Sequence, residues 1–136
     1  MQSLFVITPT VADVAAGGII PLAQTARRVS QEIQLSSNSV QAVGNQCRGS
    51  YFKVSGTVTF TAPAAGVVEL GLYQNGVKVA GIESSASVTT ATTQVITLPI
   101  DGIVRVDKNE TGVFTLVNIG VAIDIDNVSL SFVRIF

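Results

Sequence analysis

The sequence predicts an all-β protein built from antiparallel strands, and three observations carry that prediction. The first is a strict alternation of apolar and polar side chains from Tyr51 to Thr61. Successive side chains of a strand point to opposite faces, so this alternation needs one dry face and one wetter face. The second is Asn75-Gly76 between two such patterns, the strongest short signal for a hairpin. The third is a series of short apolar runs separated by turn residues, which is typical of a sandwich or barrel.

Taken in order, the pattern gives eleven candidate segments for about ten short strands. The segments lie at residues 19–23, 32–35, 40–43, 51–61, 67–74, 77–82, 94–100, 103–106, 113–119, 121–125 and 128–136. Pro21 confines the first to a sheet edge. Pro99 and Asp101-Gly102 are expected to end the strand at 94–100, because they are turn residues. The Ser- and Thr-rich region 84–93 is expected to be partly strand.

Residues 1–16 are predicted to form an N-terminal arm or docking segment in front of a single domain at 17–136. Pro9 and Gly17-Gly18 break the pattern, which fits a docking arm or a first edge strand; a short helix over 11–16 is the alternative. The start of the chain lacks the basic region of a secretory signal, so we expect it to stay in the mature protein. The predicted capsid-docking residues are Leu4, Phe5, Val6 and Ile7.

The composition points to an oligomer. Only 12% of the residues are charged, about half the usual share, and 47% are apolar. The strands at 113–119 and 128–136 carry apolar side chains on both faces, and both faces must then be covered. We therefore expect a second subunit to cover the outer side. The residues predicted at the trimer interface are Tyr51, Tyr73, Val113, Val117, Ile119, Val133 and Ile135. The two tyrosines, expected on adjacent strands, could instead contact a ligand or sugar.

Several classes of partner are not expected. No apolar run approaches the ~18 residues of a spanning helix, and a small transmembrane barrel would need aromatic girdles. The chain has no Trp and only two Tyr, so membrane insertion is not predicted. The net charge is −1, with the eight basic residues spread along the chain. Nucleic acid is therefore not an expected ligand.

The sequence contains no recognisable set of catalytic residues. The chain has no His, which excludes a histidine-dependent triad. Cys47 lacks an imidazole to activate it, and we interpret it as an incidental thiol. Asp124 and Asp126 share one face of a short strand; we interpret them as a solvated edge, with a calcium site as the weaker alternative. The sequence therefore predicts no enzyme, no cofactor, no metal and no catalytic residue.

Four motifs, in their order and spacing, resemble a known superfamily. They are G-x-Y-F-x-V-x-G-x-V-x-F at 49–60, L-x-x-N-G at 72–76, L-x-x-D-G-I-V-x-V within 93–106, and N-V-S-L-S-F at 127–132. Together they resemble the tumour-necrosis-factor-like jelly roll, which includes complement-type globular heads, over residues 17–136. The segment 45–48 is similar to small jelly-roll proteins of bacterial and phage genomes, several of which look like virion surface or fibre components.

The resemblance implies ten strands in two sheets and a homotrimer packed around a threefold axis by one sheet. It also implies a non-enzymatic structural protein of a bacteriophage virion, a head fibre or capsid decoration protein that assembles in the host cytoplasm. Such a protein would bind the capsid or another virion protein, and could bind a host-surface glycan or protein. The alternative is a bacterial secreted or cell-surface domain that binds a receptor or glycan. The missing signal sequence favours the phage hypothesis.

Overall fold

The computed structural model describes residues 2–9, 12–30 and 32–136, and its strands form two antiparallel sheets. Sheet A contains β1 (Ser3–Thr8), β2 (Ala12–Val14), β3 (Gln24–Val29), β6 (Ser50–Thr61), β9 (Ile96–Val106) and β11 (Ile123–Arg134). Sheet B contains β4 (Ile33–Ser36), β5 (Ser39–Val43), β7 (Gly66–Gln74), β8 (Val77–Val88) and β10 (Thr111–Asn118). The order in sheet A is β3-β1-β11-β6-β9, with β2 also on β11, and in sheet B β4-β5-β10-β7-β8.

The predicted all-β sandwich is confirmed, and the alternation along β6 explains its place. This strand lies between β11 and β9, so it is an interior strand of sheet A. Phe52 and Phe60 are among its inward side chains and are fully buried. Across the sandwich, the rings of Phe114 from sheet B and Phe132 from sheet A lie 5.3 Å apart. The core therefore forms between the two sheets, where alternation directs one parity of each strand.

The predicted hairpin at Asn75-Gly76 is confirmed. Both residues have positive φ, 52° and 81°, as a turn with the twist of a two-residue hairpin requires. The turn is also tied to the neighbouring strand β10. The N–H of Val113 donates to Asn75 Oδ1 at 2.8 Å, and the N–H of Asn75 donates to the carbonyl of Val113 at 2.8 Å.

The predicted break at Pro99 and Gly102 is wrong, because β9 runs through both. β9 pairs only with β6, so it is an edge strand, where a residue without an N–H is tolerated. The hydroxyl of Ser84 from sheet B donates to the Pro99 carbonyl. Gly102 allows the sheets to approach, since a Cβ there would lie 2.4 Å from Ile82 Cγ1.

Two other predicted boundaries also change. The strands predicted at 121–125 and 128–136 are parts of one strand, β11, which covers residues 123–134 and is irregular between Ile125 and Asn127. The predicted strand at 19–23 is reduced to a single bridge between Ile19 and Val117. In both cases the extent of the strand depends on which strand it pairs with, and the local sequence pattern does not identify that partner.

The N-terminal segment is part of the sandwich. β1 lies between β3 and β11, and Leu4 and Val6 are 1% and 0% exposed. The predicted boundary after residue 16 therefore matches no break in the fold, and these two side chains cannot form a docking surface. The alternative helix over 11–16 is replaced at 12–14 by β2, while Thr10 and Val11 lie outside the described residues.

Within the described ranges, no helix is long and apolar enough to cross a bilayer.

Candidate functional site

The residues predicted at the trimer interface lie on two opposite surfaces. β6 and β7 follow one another in the chain, but β6 belongs to sheet A and β7 to sheet B. The expectation that Tyr51 and Tyr73 lie on adjacent strands is therefore wrong. The outer face of sheet A carries Tyr51, Val133 and Ile135, and the outer face of sheet B carries Tyr73, Val113 and Val117, with Ile119 just beyond β10. A trimer that packs around its threefold axis through one sheet can bury only one of these two sets of residues.

An open groove marks one end of the outer face of sheet A. Its volume is about 480 Å³, and it is lined by Tyr51, Ile103, Ile135 and Phe136, all of which are exposed. We call it the aromatic groove. The last two of these residues are held against β6, since Ile135 N–H donates to the Tyr51 carbonyl at 2.9 Å and Tyr51 N–H donates to the Phe136 carbonyl at 3.0 Å. The rings of Tyr51 and Phe136 meet edge to face with centroids 6.2 Å apart.

Two arginines cover the rings of the groove from its rim. The guanidinium carbon of Arg48 lies 5.1 Å from the centroid of the Phe136 ring, and that of Arg105 lies 5.6 Å from the Tyr51 ring. Both distances are within cation–π range. Arg105 also pairs with Asp107, with 3.1 Å between Nε and Oδ1. The groove therefore combines aromatic, aliphatic and guanidinium groups, the side-chain types enriched in protein interfaces.

A second cavity lies on the same face of sheet A, on the side of β1 and β3. It measures about 330 Å³, and its lining includes Phe5, Val29 and Val133 together with the charged Arg27. Ser3 pairs with both Val29 and Val133 in the two adjacent ladders, so it links β3 to β11 across this cavity. Leu4 and Phe5 of the predicted docking set line this cavity, and of the two only Phe5 has an exposed side chain. Ile7 is half-buried further along β1.

The middle of the same face carries hydroxyl pairs and one ion pair. The hydroxyls of Thr57 and Ser129 lie 3.3 Å apart, and those of Thr59 and Thr97 lie 2.9 Å apart. Between these hydroxyls and the aromatic groove, Lys53 Nζ lies 2.6 Å from Asp101 Oδ1. These cross-strand hydroxyl pairs satisfy one another, so covering them buries no charge, whereas covering the ion pair buries two paired charges.

The opposite end of the face is acidic. Asp124 on β11 lies directly opposite Asp13 on β2, and Asp126 follows on β11. A hydrogen bond to Asp13 raises the pKa of Asp124, and burial and repulsion from Asp13 and Asp126 act in the same direction. Within the described part of the chain, no group of three or more Asp, Glu, His or Cys side chains is arranged to hold a metal ion. The calcium alternative at Asp124 and Asp126 gains no support.

The outer face of sheet B is organised around an ion-pair network. Lys78 Nζ lies 2.5 Å from Glu83 Oε2 and 3.5 Å from Glu69 Oε1. The hydrogen bond between Lys78 and Glu83 raises the pKa of Lys78 and lowers that of Glu83. Beside it, Ile119 covers Gly71, where a Cβ would lie 3.1 Å from Ile119 Cδ1. The charges of this face are thus paired within one chain.

Sequence reasoning missed Ile103, Phe136 and the two stacking arginines. Continued alternation along β11 would direct Phe136 to the inner face with Phe132, but that strand ends at Arg134 and the alternation ends with it. Ile103 lies opposite Lys53 in the β6–β9 ladder. Parity carried from β6 to β9 would have placed Ile103 on the outer face, had their pairing been known.

Comparison with known proteins gives structural matches. No protein-family model matches the chain, and no curated protein matches its sequence. The Eiger tumour necrosis factor of S. frugiperda has a TM-score of 0.75 and 8% identity, covering 99% of this chain and 91% of the other. The globular domain of zebrafish complement 1qA has a TM-score of 0.57 and 7% identity, with 98% and 97% covered. Vertex protein P5 of PRD1 has a TM-score of 0.54 and 14% identity, with 96% and 93% covered.

These matches confirm the fold that the four motifs predicted. The chain is a jelly roll of the tumour-necrosis-factor and complement-head type. Proteins with this fold usually trimerise and are typically non-catalytic. Sequence identities of this size show the fold alone.

Proposed function

We propose that this protein is a non-enzymatic structural and binding component of a bacteriophage virion, and that it acts as a homotrimer. The observation that carries the proposal is the aromatic groove on the outer face of sheet A, on a jelly roll whose relatives in structure usually trimerise. The structural similarity to vertex protein P5 of PRD1 supports the virion setting. A trimer would also account for the low share of charged residues.

The trimer forms through the outer face of sheet A in this proposal. Tyr51, Phe136 and Ile103 expose apolar surface that association would remove from water, and Arg48 and Arg105 lie at the rim. The hydroxyl pairs in the middle of the face are already satisfied, so covering them leaves no unpaired charge. Interfaces of this kind have an apolar centre with aromatic and arginine anchors.

The virion partner contacts surfaces outside this face. Leu4 and Val6 lie in the core, and Phe5 belongs to the surface proposed for the trimer. Residues 4–6 therefore belong to the sandwich and are not free to bind the capsid. The exposed loops at the two ends of the jelly roll and the outer face of sheet B are left for the capsid.

Two measurements test the proposal. Light scattering should report about 42 kDa, which is three times the chain mass of 14.1 kDa. A mass near 14 kDa at micromolar concentration would rule out the trimer. Mass spectrometry of purified phage particles from the host strain should detect the protein in stoichiometric amounts. Its absence from particles, together with recovery from the cell surface, would instead favour the secreted or surface receptor-binding domain, to which the similarity with Eiger lends support.

A further inference from the structure

Residues 12–20, which we call the strap, cross from one sheet to the other at the acidic end of the sandwich. β2 attaches the strap to β11 of sheet A. The N–H of Gly17 then donates to the Asn118 carbonyl at 2.7 Å, and the N–H of Ile20 donates to the Leu116 carbonyl at 2.8 Å, both on β10 of sheet B. The strap is therefore bonded to both sheets and bridges them.

The strap also covers part of the core. Val14 is 4% exposed and Ile20 is fully buried. The buried side chain of Asn118 reinforces the attachment to sheet B, since its Nδ2 donates to the carbonyls of Ala15 at 3.4 Å and Val121 at 2.8 Å. Detachment of the strap would expose both apolar side chains, so its attachment matters for the closed state of the sandwich.

The attachment of the strap to sheet A is weaker than its attachment to sheet B, for two reasons. β2 has only three residues, and its outward residue Asp13 faces Asp124 in direct register. Asp126 adds a third carboxylate from β11, while β6 places the uncharged Thr61 opposite Asp124. Lys53, Lys78 and Arg105 pair with other carboxylates. Like charges directly opposite one another destabilise an antiparallel pair.

Protonation of Asp124 removes the repulsion between Asp124 and Asp13. The pKa of Asp124 is raised in the folded chain, chiefly by its hydrogen bond to Asp13, so the folded state holds this proton more tightly than the unfolded chain does. The resulting stability is fully present below the ordinary pKa of an aspartate. It is lost as pH rises through the raised pKa. The attachment of the strap to sheet A is therefore strongest at acidic pH.

We propose that the strap is an acid-strengthened clasp: protonation of Asp124 removes its repulsion from Asp13, which lies opposite it in the β2–β11 register, and neutral pH restores that repulsion and loosens the strap. The groups involved belong to one chain, so the clasp does not depend on the proposed trimer. Loosening exposes Val14 at the end of the sandwich while the attachment to sheet B persists. The clasp therefore makes one end of the jelly roll responsive to pH.

Hydrogen exchange of the full-length protein tests the clasp. Amides in 12–14 and 123–125 that bond across β2–β11 should be protected about 1.4- to 5-fold more at about pH 3.5, below the ordinary aspartate pKa of 3.8, than at about pH 7.5, after correction for intrinsic rates, from the usual size of a cross-strand charge effect. Asp124→Asn keeps the shape and removes the charge. It should give the high protection at both pH values.

Two further variants complete the test. Asp13→Asn should behave as Asp124→Asn does, and the double variant should add nothing, because one interaction is being removed. Glu110→Gln, in the turn after β9 at the other end of the molecule, should keep the wild-type pH dependence. Equal protection of the wild type at both pH values, or a wild-type pH dependence in Asp124→Asn, would overturn the proposal.

Discussion

The outer faces of the two sheets differ in how their charged and apolar side chains are paired or covered. On sheet B, Lys78 is paired with Glu69 and Glu83, and Ile119 covers Gly71. On sheet A, the aromatic groove is open, and at the other end Asp13 faces Asp124. Sheet B thus pairs its outer charges within one chain, as sheet A does for Lys53 with Asp101 and for Arg105 with Asp107. Sheet A leaves apolar surface and like charges for a partner or a proton to satisfy.

This difference indicates where a partner binds. The low content of charged residues applies to the whole chain, so composition alone could not choose between the faces. Exposed aromatic surface with arginine at its rim occurs on sheet A. Sheet B exposes apolar side chains such as Val43, Val67 and Val77, which lie near strand ends around its charge network. Isolated apolar side chains are normal on a surface, whereas a continuous patch marks an interaction site.

The largest expected effect comes from one charge placed on each face. Ile103 on sheet A and Val67 on sheet B are 54% and 56% exposed, so an aspartate at either should leave the monomer folded. Ile103→Asp would place a carboxylate opposite Lys53, which already pairs with Asp101, and the proposed trimer would bury this added charge three times. Light scattering should report a monomer for Ile103→Asp and a trimer for Val67→Asp. The reverse result would move the interface to sheet B.

A smaller effect is expected from truncating a tyrosine on each face. Tyr51→Ala removes the ring that Phe136 and Arg105 pack against, and loss of a central anchor typically costs more than ~1 kcal/mol of association. The trimer should then dissociate at a concentration at least about fivefold higher, measured by sedimentation on dilution. Tyr73→Ala is the matched control and should leave this concentration unchanged. Equal effects of both variants would remove the distinction between the faces.

Much of the fold could be predicted because alternation is a local property. The parity of 51–61 identified the buried Phe52 and Phe60, and Asn75-Gly76 identified its hairpin. The assignment of strands to sheets is non-local, since β6 pairs with β9 and β11 but not with β7. Tyr51 and Tyr73 were therefore both placed correctly as outward-facing, yet they lie on opposite sides of the molecule.

The site was less predictable than the fold for the same reason. The groove joins the start of β6, the end of β9 and the residues after β11, which are distant in sequence. Pro99 and Gly102 read locally as a turn, because neither suits an interior strand. Only the position of β9 at the sheet edge, and the contact of Gly102 with Ile82, explains why the strand continues.

The smallest expected effect is a difference of sign in the pH dependence of the two faces. On sheet B, the pKa of Glu83 is lowered by Lys78, so the stability it contributes is present above its ordinary value of 4.5 and is lost as pH falls through the lowered pKa. Glu83→Gln should therefore lower the urea midpoint slightly at pH 7, and this deficit should shrink as pH falls below 4.5. Asp124→Asn on sheet A should raise the midpoint at pH 7, and this gain should vanish in acid because the wild type is then protonated too. Deviations of the same sign in both variants would show that the two faces do not differ electrostatically as the register and ion pairs indicate.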